Sequence, residues 1–532
     1  MFSRIIKISL LIFGCFTTSM LSAQDFTSLQ QRKMLNVMSA ISELYVDTIN
    51  GEQLIESAIV SMLKELDPHS AYIPKKEVER VNEPLEGSFE GVGIQFQMFE
   101  DTLLVVQTIS GCPAEKVGVL PGDRIIYVGD ELIAGTKKQN TDIVKLLRGP
   151  KGSEVTVKIL RGREKNLLLF KIVRDKIPLY SVDAHYMIGD DIGYIKITNF
   201  GANTLAEYEK AMKELQKKGM RYLILGLQGN GGGYLPTAIG LADEFLDRGK
   251  TIVYTEGNND PKRVSRATAN GNFETNKLII LVDEYSASAS EIVSGAVQDW
   301  DRGIIVGRRT FGKGLVQRQL DLIDGSQLRL TTARYHTPTG RSIQKPYKGV
   351  DYEKDLLERY EHGEMQFADS IHFPDSLKYQ TLQLKRTVYG GGGIMPDIFV
   401  PVDTTSYTHY HRTLVRRGIV NKTYIQYLDR NRKTLEKKYP AFEKFRDEYE
   451  VSNELLAQLQ EKAEAEKIPF DEEQYEASLP LLKLQLKALV AGDLWNTNEY
   501  YQIIDNENDL LQKAINILQT PGEYERILQT GN

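Results

Sequence analysis

Apolar residues along the 532-residue chain change their spacing several times, and each change marks a region. From Met34 to Leu66 they fall three and four apart: Met34, Val37, Met38, Ile41, Leu44 and Tyr45, then Leu54, Ile55, Ala58, Ile59, Met62 and Leu66. That is one face of a helix. With Gly51 between the runs it predicts a helical hairpin, stopped at Asp67-Pro68-His69-Ser70 by the proline. From about Leu85 to Arg174 the period drops to two, at Ile94, Phe96, Leu103, Val105, Val155, Val157 and Ile159. Two short helical patches, Pro113–Val117 and Thr141–Leu147, interrupt it, so a small β-rich module is predicted.

From Val182 to about Pro401 strands and helices alternate. Strands at Tyr222–Leu227, Leu278–Val282 and Ile304–Val306 come with helices near Leu235–Phe245 and Ser290–Trp300. This is α/β organisation with much parallel sheet, whose reactive groups gather at the carboxyl ends of the strands. Beyond Thr404 the chain turns rich in Leu, Glu, Lys and Tyr and reads as helical. Ser478 there has the look of an N-cap, Pro480 of a first-turn residue and Gly492 of a stop after the last apolar turn. This tail carries no chemical signature and is expected to be structural or an association surface.

Composition adds mainly exclusions. The formal net charge is −6, with no dense Lys/Arg block, which argues against nucleic acid as the main partner. Residues 1–23 stand apart: Arg4 and Lys7 precede an apolar run from Ile8 to Phe16, and Leu21-Ser22-Ala23 offers a cleavage site before Gln24. This reads as a secretory signal peptide, and so as export to the periplasm or cell envelope. A retained inner-membrane anchor over Ile5 to Ala23 and a lipid acceptor at Cys15 are the competing readings. Only Cys15 and Cys112 are present, and the seven histidines include no close pair on a helix face. His409 and His411 alternate as on a strand, with no third ligand nearby. No metal site and no cofactor are expected.

Three segments carry candidate chemistry. Ser286-Ala287-Ser288-Ala289-Ser290-Glu291 lies between a predicted strand and helix. A serine there exposes its hydroxyl beside the free N–H groups of a helix start, which can receive an oxyanion. Ser288 and Glu291 also form a capping box, which explains them without catalysis. The second segment, Arg308 to Gln317, holds Gly312-Lys313-Gly314; it is not a Walker loop, because neither Ser nor Thr follows the lysine. Burial of Lys313 would lower its pKa, and the neutral amine could then take a proton from serine. In extended backbone Gln317 would face the same side and orient that amine. The third segment, Gly229-Asn230-Gly231-Gly232-Gly233, fails the dinucleotide pattern, but its backbone could aim an N–H at an oxyanion.

Together these segments resemble the C-terminal processing peptidases, or tail-specific proteases. The carriers are Ser-Ala-Ser-Ala-Ser-Glu-Ile (286–292), Thr-Phe-Gly-Lys-Gly-Leu-Val-Gln (310–317), the 229–233 turn, Leu66-Asp67-Pro68-His69-Ser70, Pro121-Gly122-Asp123, the 337–344 run and Gly393-Ile394-Met395-Pro396-Asp397. The spacing of 25 residues from Ser288 to Lys313 fits that family. The resemblance covers roughly residues 30 to 402. It implies Ser288 as nucleophile, Lys313 as general base, Gln317 as the group positioning Lys313, and Ala289 and Gly232 N–H groups as the oxyanion hole. Gly226, Gln228 and Gly231 depart from the Asp, Arg and Pro that the family often has around that turn. The β-rich module resembles the family's PDZ domain, with Gly91, Val92, Gly93 and Ile94 as the loop that binds a substrate C-terminus. Arg148 and Lys151 are candidate charges beside it, and gating of the active site by this domain is a further expectation.

The expected architecture is multidomain: signal peptide 1–23, N-terminal helical region 24–80, PDZ domain 85–175, a crotonase-like α/β peptidase core over 176–402, and a C-terminal helical region over 403–532. The expected function is an exported Ser–Lys endopeptidase acting on protein or peptide substrates with free apolar C-termini. An adaptor, a homodimer and a membrane tether stay open as partners. A proteolytically weak PDZ-type binding or chaperone protein is the alternative. A CoA-binding acyl-transfer enzyme is opposed by the PDZ module and the export signal. A His-Asp-Ser protease is disfavoured, because no histidine shares a motif with Ser288.

Overall fold

The computed structural model describes residues 27–99, 101–162, 164 and 166–530. The proposed signal peptide, and with it the anchor and lipid-acceptor readings, lies outside them. Among the described residues no helix is long and apolar enough to cross a membrane. The chain forms two compact units, divided between Leu66 and Asp67.

Among the described residues the first unit contains two helices, Ser28–Leu44 and Gly51–Lys64. Thr27 and Gln30 exchange a capping box at the first, and Asn50 caps the second, satisfying N–H groups that helix starts leave unpaired. The second helix ends three residues before Asp67, so Pro68 is not its stop.

In the second unit a six-stranded sheet forms the main core. Its order is Val182–Ile188, Ile192–Ile197, Tyr222–Gly226, Leu278–Val282, Ile304–Gly307 and Ile398–Phe399, parallel from the second strand onward. The unbroken apolar runs have a period of two after all. Leu223, Leu225, Leu278, Ile280, Val282 and Ile305 face one core, with the helices Thr204–Lys217, Leu235–Asp243 and Ala289–Asp299. Ile224, Ile279, Leu281, Ile304 and Val306 face another, with the helices Asp509–Gln519 and Glu523–Thr530. A parallel sheet buried on both faces needs apolar side chains at every position. The end of the tail supplies the second cover, and Tyr524 bonds both backbone groups of Leu278.

A second sheet lies beside this core. Gln327–His336 pairs with Ala71–Ile73, Thr251–Glu256 and Leu315–Asp321. Residues 71–73, assigned from sequence to the N-terminal helical region, therefore belong to the second unit. The PDZ-like module has the strand order Ile94–Phe99, Thr102–Thr108, Arg124–Val128, Glu154–Leu160, Leu168–Val173, with helices Pro113–Lys116 and Asn140–Leu147. Its entry and exit pair as Ser88–Gly91 with Asp175–Pro178.

The tail is helical, with two corrections. A single helix, Glu472–Leu494, runs through Ser478, Pro480 and Gly492, and Asp471 is its N-cap. Ser478 instead donates its hydroxyl to Gln474 O. Pro480 is exposed, so the carbonyl it leaves unpaired faces water. A side chain at Gly492 would press on Tyr500 Cβ at 3.1 Å, so this glycine permits a helix contact rather than ending a helix. His409 and His411 lie on the helix His409–Arg416, not on a strand.

Candidate active site

The loops 227–234, 283–288 and 308–314 follow three adjacent parallel strands at their carboxyl ends, where α/β sheets place their chemistry. All three candidate segments meet there.

Buried polar groups stitch the loops together. Asp283 accepts from the N–H groups of Gly229 (2.9 Å) and Ser286 (3.0 Å), and burial raises its pKa. Asn230, wholly buried, accepts at its carbonyl from Ala287 N–H (3.0 Å) and Ser290 Oγ (2.9 Å). The Phe311 N–H donates to Ser286 O at 3.0 Å. Two of the three serines are thereby spent: Ser286 donates to Leu227 O (2.8 Å) and Ser290 to Asn230 O. Ser288 alone of the three is only partly buried.

Ser288 has φ +56° and ψ −109°, a region that residues with a side chain occupy only when their surroundings enforce it. Nucleophilic serines on sharp strand-to-helix turns are held in this manner. The Ser288 N–H donates to Glu291 Oε2 at 2.8 Å, which is the backbone half of the anticipated capping box. Ala289 opens the helix Ala289–Asp299, and among the described residues no acceptor takes its N–H. Gly232 packs against this turn: a Cβ there would come within 2.8 Å of both Ala287 O and Ser288 Cβ, and its φ is +99°. Its N–H, expected as the second oxyanion donor, is instead donated to Asn230 Oδ1 at 2.9 Å. Gly232 therefore serves the site by having no side chain, and the N–H assignment is corrected.

Glu291 does more than cap. Its carboxylate is fully buried and accepts four hydrogen bonds: Thr310 Oγ1 (2.5 Å) and Gly312 N–H (2.8 Å) on Oε1, Ser288 N–H (2.8 Å) and Lys313 N–H (2.9 Å) on Oε2. Burial pushes its pKa up to about 7 against the pull of those donors. One carboxylate thus ties the serine turn to the lysine loop. The Lys313 ammonium is pulled below its ordinary value, first by burial and then by Arg329, with Glu291 and Asp67 opposing.

Gln317 stands on Leu315–Asp321, but its alternation with Lys313 does not hold, because the strand starts at Leu315 and bulges between Val316 and Gln317. Its Nε2 lies 3.3 Å from Thr331 Oγ1, which donates to Asp67 Oδ1 at 3.0 Å. Asp67 also accepts from His69 N–H, Ser70 N–H and Ser70 Oγ. The Asp67-Pro68-His69-Ser70 motif, read from sequence as a helix stop, is a polar turn supporting the strand beneath Gln317. His69 places Nε2 2.8 Å from the Tyr352 hydroxyl, and burial, followed by the charge of Lys313, lowers its pKa to about 4. The departure at Gly226 is accommodated locally, since a Cβ there would lie 2.7 Å from the Tyr194 hydroxyl.

In the PDZ-like module Gly91, Val92, Gly93 and Ile94 line a groove of about 160 Å³ with Phe89, Phe96, Val144, Leu147 and Arg148. Arg148 and Lys151 are not free charges: Arg148 Nη1 reaches both carboxylate oxygens of the buried Glu83, and Lys151 pairs with Asp175.

A partly buried serine on a strained turn, a partly buried lysine and a helix-start N–H are parts that a nucleophilic hydrolase needs. Comparison with known proteins gives the family. Residues 191–354 match the model of peptidase family S41, 104–161 a PDZ domain, 17–77 the N-terminal domain of the activating protease CtpB, and 410–496 a family of unknown function. The chain is 35% identical over 366 residues to the carboxy-terminal-processing protease of Bartonella bacilliformis, covering 66% of this chain and 82% of that one. It is 37% identical over 324 residues to the carboxy-terminal processing protease CtpB of Bacillus subtilis (strain 168), covering 60% of this chain and 66% of that one. The match thus spans just under two thirds of the Bacillus relative. Among solved structures it is 30% identical to a photosystem II D1 C-terminal processing protease, covering 62% of this chain and 96% of that one, at a TM-score of 0.34. The chain belongs to the carboxy-terminal processing protease family.

Proposed function

We propose that this protein is an exported serine endopeptidase that selects substrates by their C-terminal ends and cleaves them through an acyl-enzyme. The carrying observation is that the Ser288 turn and the Lys313 loop share one buried partner, Glu291, at the carboxyl ends of adjacent parallel strands. Export rests on the pattern of residues 1–23. Selection of C-termini rests on the groove at Gly91–Ile94, where an extended peptide would add as a strand and leave its carboxylate to backbone N–H groups.

In the proposed reaction the neutral Lys313 amine takes the Ser288 Oγ proton as Oγ bonds to the scissile carbonyl carbon. The oxyanion that forms accepts from the Ala289 N–H. When the tetrahedral intermediate collapses, the C–N bond breaks and the Lys313 ammonium returns the proton to the leaving amine. Water, deprotonated by the same lysine, then releases the acid and restores the serine. Gln317 is assigned to orienting Lys313. No metal or cofactor enters any step.

The test compares a fluorogenic peptide bearing a free apolar C-terminus with its amidated twin. Wild type is expected to cut the first faster, while Ser288→Ala and Lys313→Ala lose at least 1,000-fold in kcat/KM, on the order of the loss when a nucleophile or its base is removed. Activity should rise with pH as the amine loses its proton. Cleavage undiminished in Ser288→Ala would overturn the assignment, and binding without cleavage by wild type would favour the non-catalytic PDZ alternative.

A further inference from the structure

Tyr335 is neither in the motifs above nor given a role by the proposed reaction, yet it touches both reacting residues. Its hydroxyl oxygen lies 2.6 Å from Lys313 O and 3.1 Å from Ser288 O. The phenol is almost wholly buried, and burial raises its pKa so that it remains a donor at any pH the fold tolerates. A phenol has one proton; it goes to the nearer Lys313 carbonyl, with the Ser288 carbonyl close enough to share it.

These contacts mirror those of Glu291. The carboxylate holds the N–H groups of Ser288 and Lys313, and the phenol faces their C=O groups. Each reacting residue is therefore gripped on both flanking peptide groups by the same pair of side chains. At Ser288 the two grips bracket a Cα with φ +56°, so they resist relaxation of the turn toward ordinary backbone. Ser288 O also accepts from Glu291 N–H and Ile292 N–H, so it would stay satisfied without the tyrosine. Lys313 O depends on the phenol more heavily.

The support behind Tyr335 is stiff. It sits near the end of the ten-residue strand Gln327–His336, paired on one side with Leu315–Asp321 and on the other with Thr251–Glu256. Its own N–H donates to Gly314 O at 3.0 Å, so it grips the lysine loop through backbone as well. Groups on paired strands hold position more closely than groups on loops.

We infer that Tyr335 is a positioning residue of the Ser–Lys reaction, setting the approach of Lys313 to Ser288 by holding both residues' carbonyl groups from a fixed strand. The inference rests on the Ser–Lys reading proposed above. Displacements of about 1 Å from reacting geometry can cost on the order of 100-fold in rate, so one hydrogen bond at this point can matter more for turnover than for stability.

The test uses the full chain with Tyr335→Phe, which fills nearly the same volume and removes only the donor. Expected are a fall in kcat of about 10- to 100-fold, KM within twofold, and thermal unfolding close to wild type. The rate of Ser288 labelling by a fluorophosphonate, followed against pH, should show its Lys313 inflection moved up toward an ordinary lysine. Replacing Tyr335 by p-aminophenylalanine, which restores an N–H donor, should recover much of the rate. If the phenylalanine variant does not fold, Tyr335→p-fluorophenylalanine, which fills the hydroxyl's space without a donor, decides by the same readouts. Wild-type kcat and an unmoved inflection in a folded variant without the donor would overturn the inference, as would a lowered melting temperature with both unchanged. Ser288→Ala runs alongside: if it still cleaves, the Ser–Lys reading falls and this role with it. If it is dead while Tyr335→Phe is fully active, this role alone falls.

Discussion

At the scale of single residues the distinctive choice is a buried carboxylate between the serine turn and the lysine loop. Holding Glu291 at about 7 instead of 4.5 corresponds to about 3 kcal/mol against the ionised form. Its folded pKa is raised, so this group favours the folded state most below pH 4.5, and that advantage is lost as pH rises through about 7. Yet all four neighbours are donors, so only the ionised form satisfies them. Glu291→Gln removes the buried charge but presents an amide NH₂ to two of those donors, at about 1–3 kcal/mol each. The two effects roughly cancel in stability and do not cancel in geometry. The expected outcome is a melting temperature within a few degrees of wild type with kcat lowered at least tenfold. In wild type, protonation of Glu291 below pH 7 should add to that of Lys313, so log(kcat/KM) should climb with a slope above one on the acid side. The glutamine variant should return the slope to one, and a slope of one in wild type would refute the role given to the carboxylate.

Between residues and the molecule stand the elements, and here some features were readable in the sequence and others were not. The parallel strands and their helices announced themselves through apolar runs and glycine punctuation, because a strand covered on both faces tolerates no polar position. The serine, lysine and glycine segments were readable as motifs for the same local reason: tight turns demand small residues in order. Tyr335 was not, since an inward tyrosine on a strand looks like any core aromatic and its value lies in contacts 22 and 47 residues away. The helix through Pro480 was misread because a proline on the solvent face forfeits a bond that water replaces, and sequence does not show which face is wet. The Gly232 N–H was misassigned because Asn230, two residues before it, takes that donor through its side chain. What the glycine turn does require is room. Gly232→Ala would drive a methyl into Ala287 O, Ser288 Cβ and Ala289 N, all within 2.9 Å, at φ +99°. The expected result is loss of fluorophosphonate labelling at Ser288 with the PDZ-like module still binding peptide. Labelling at the wild-type rate would show that the turn can retreat.

Across the molecule, the C-terminal helices join regions that sequence treated as separate. On the PDZ-like strand Thr102–Thr108 the side chains divide: Leu103 and Val105 enter the module's own core, while Leu104 packs among Tyr410, Leu414, Leu455 and Leu459 of the tail. Arg124 pairs with Asp429 at 2.8 Å, and Gln107 donates to Trp495 O at 3.1 Å. A few residues on, Asn498 accepts from His185 N–H and Asp505 from the Tyr186 hydroxyl on the first strand of the catalytic sheet. One helical stretch thus grips the back of the PDZ-like module and the outer side of the six-stranded sheet, which would constrain any swing of the module. The two kinds of grip differ in strength. An ion pair whose partners are each about a quarter open to solvent contributes about 0–1 kcal/mol, whereas truncating a buried leucine costs about 2–5 kcal/mol. Leu104→Ala should therefore loosen the module far more than Arg124→Ala, although both sit on its surface and neither enters its core. Hydrogen exchange should show it: faster exchange along Thr102–Thr108 in Leu104→Ala, near-wild-type exchange in Arg124→Ala, and an unchanged core strand Glu154–Leu160 in both. If the tail limits gating, Leu104→Ala should also change KM for peptides with a free C-terminus while leaving fluorophosphonate labelling of Ser288 unaltered. Faster exchange with an unaltered KM would confine the tail to holding the module in place, with no share in the selection of substrates.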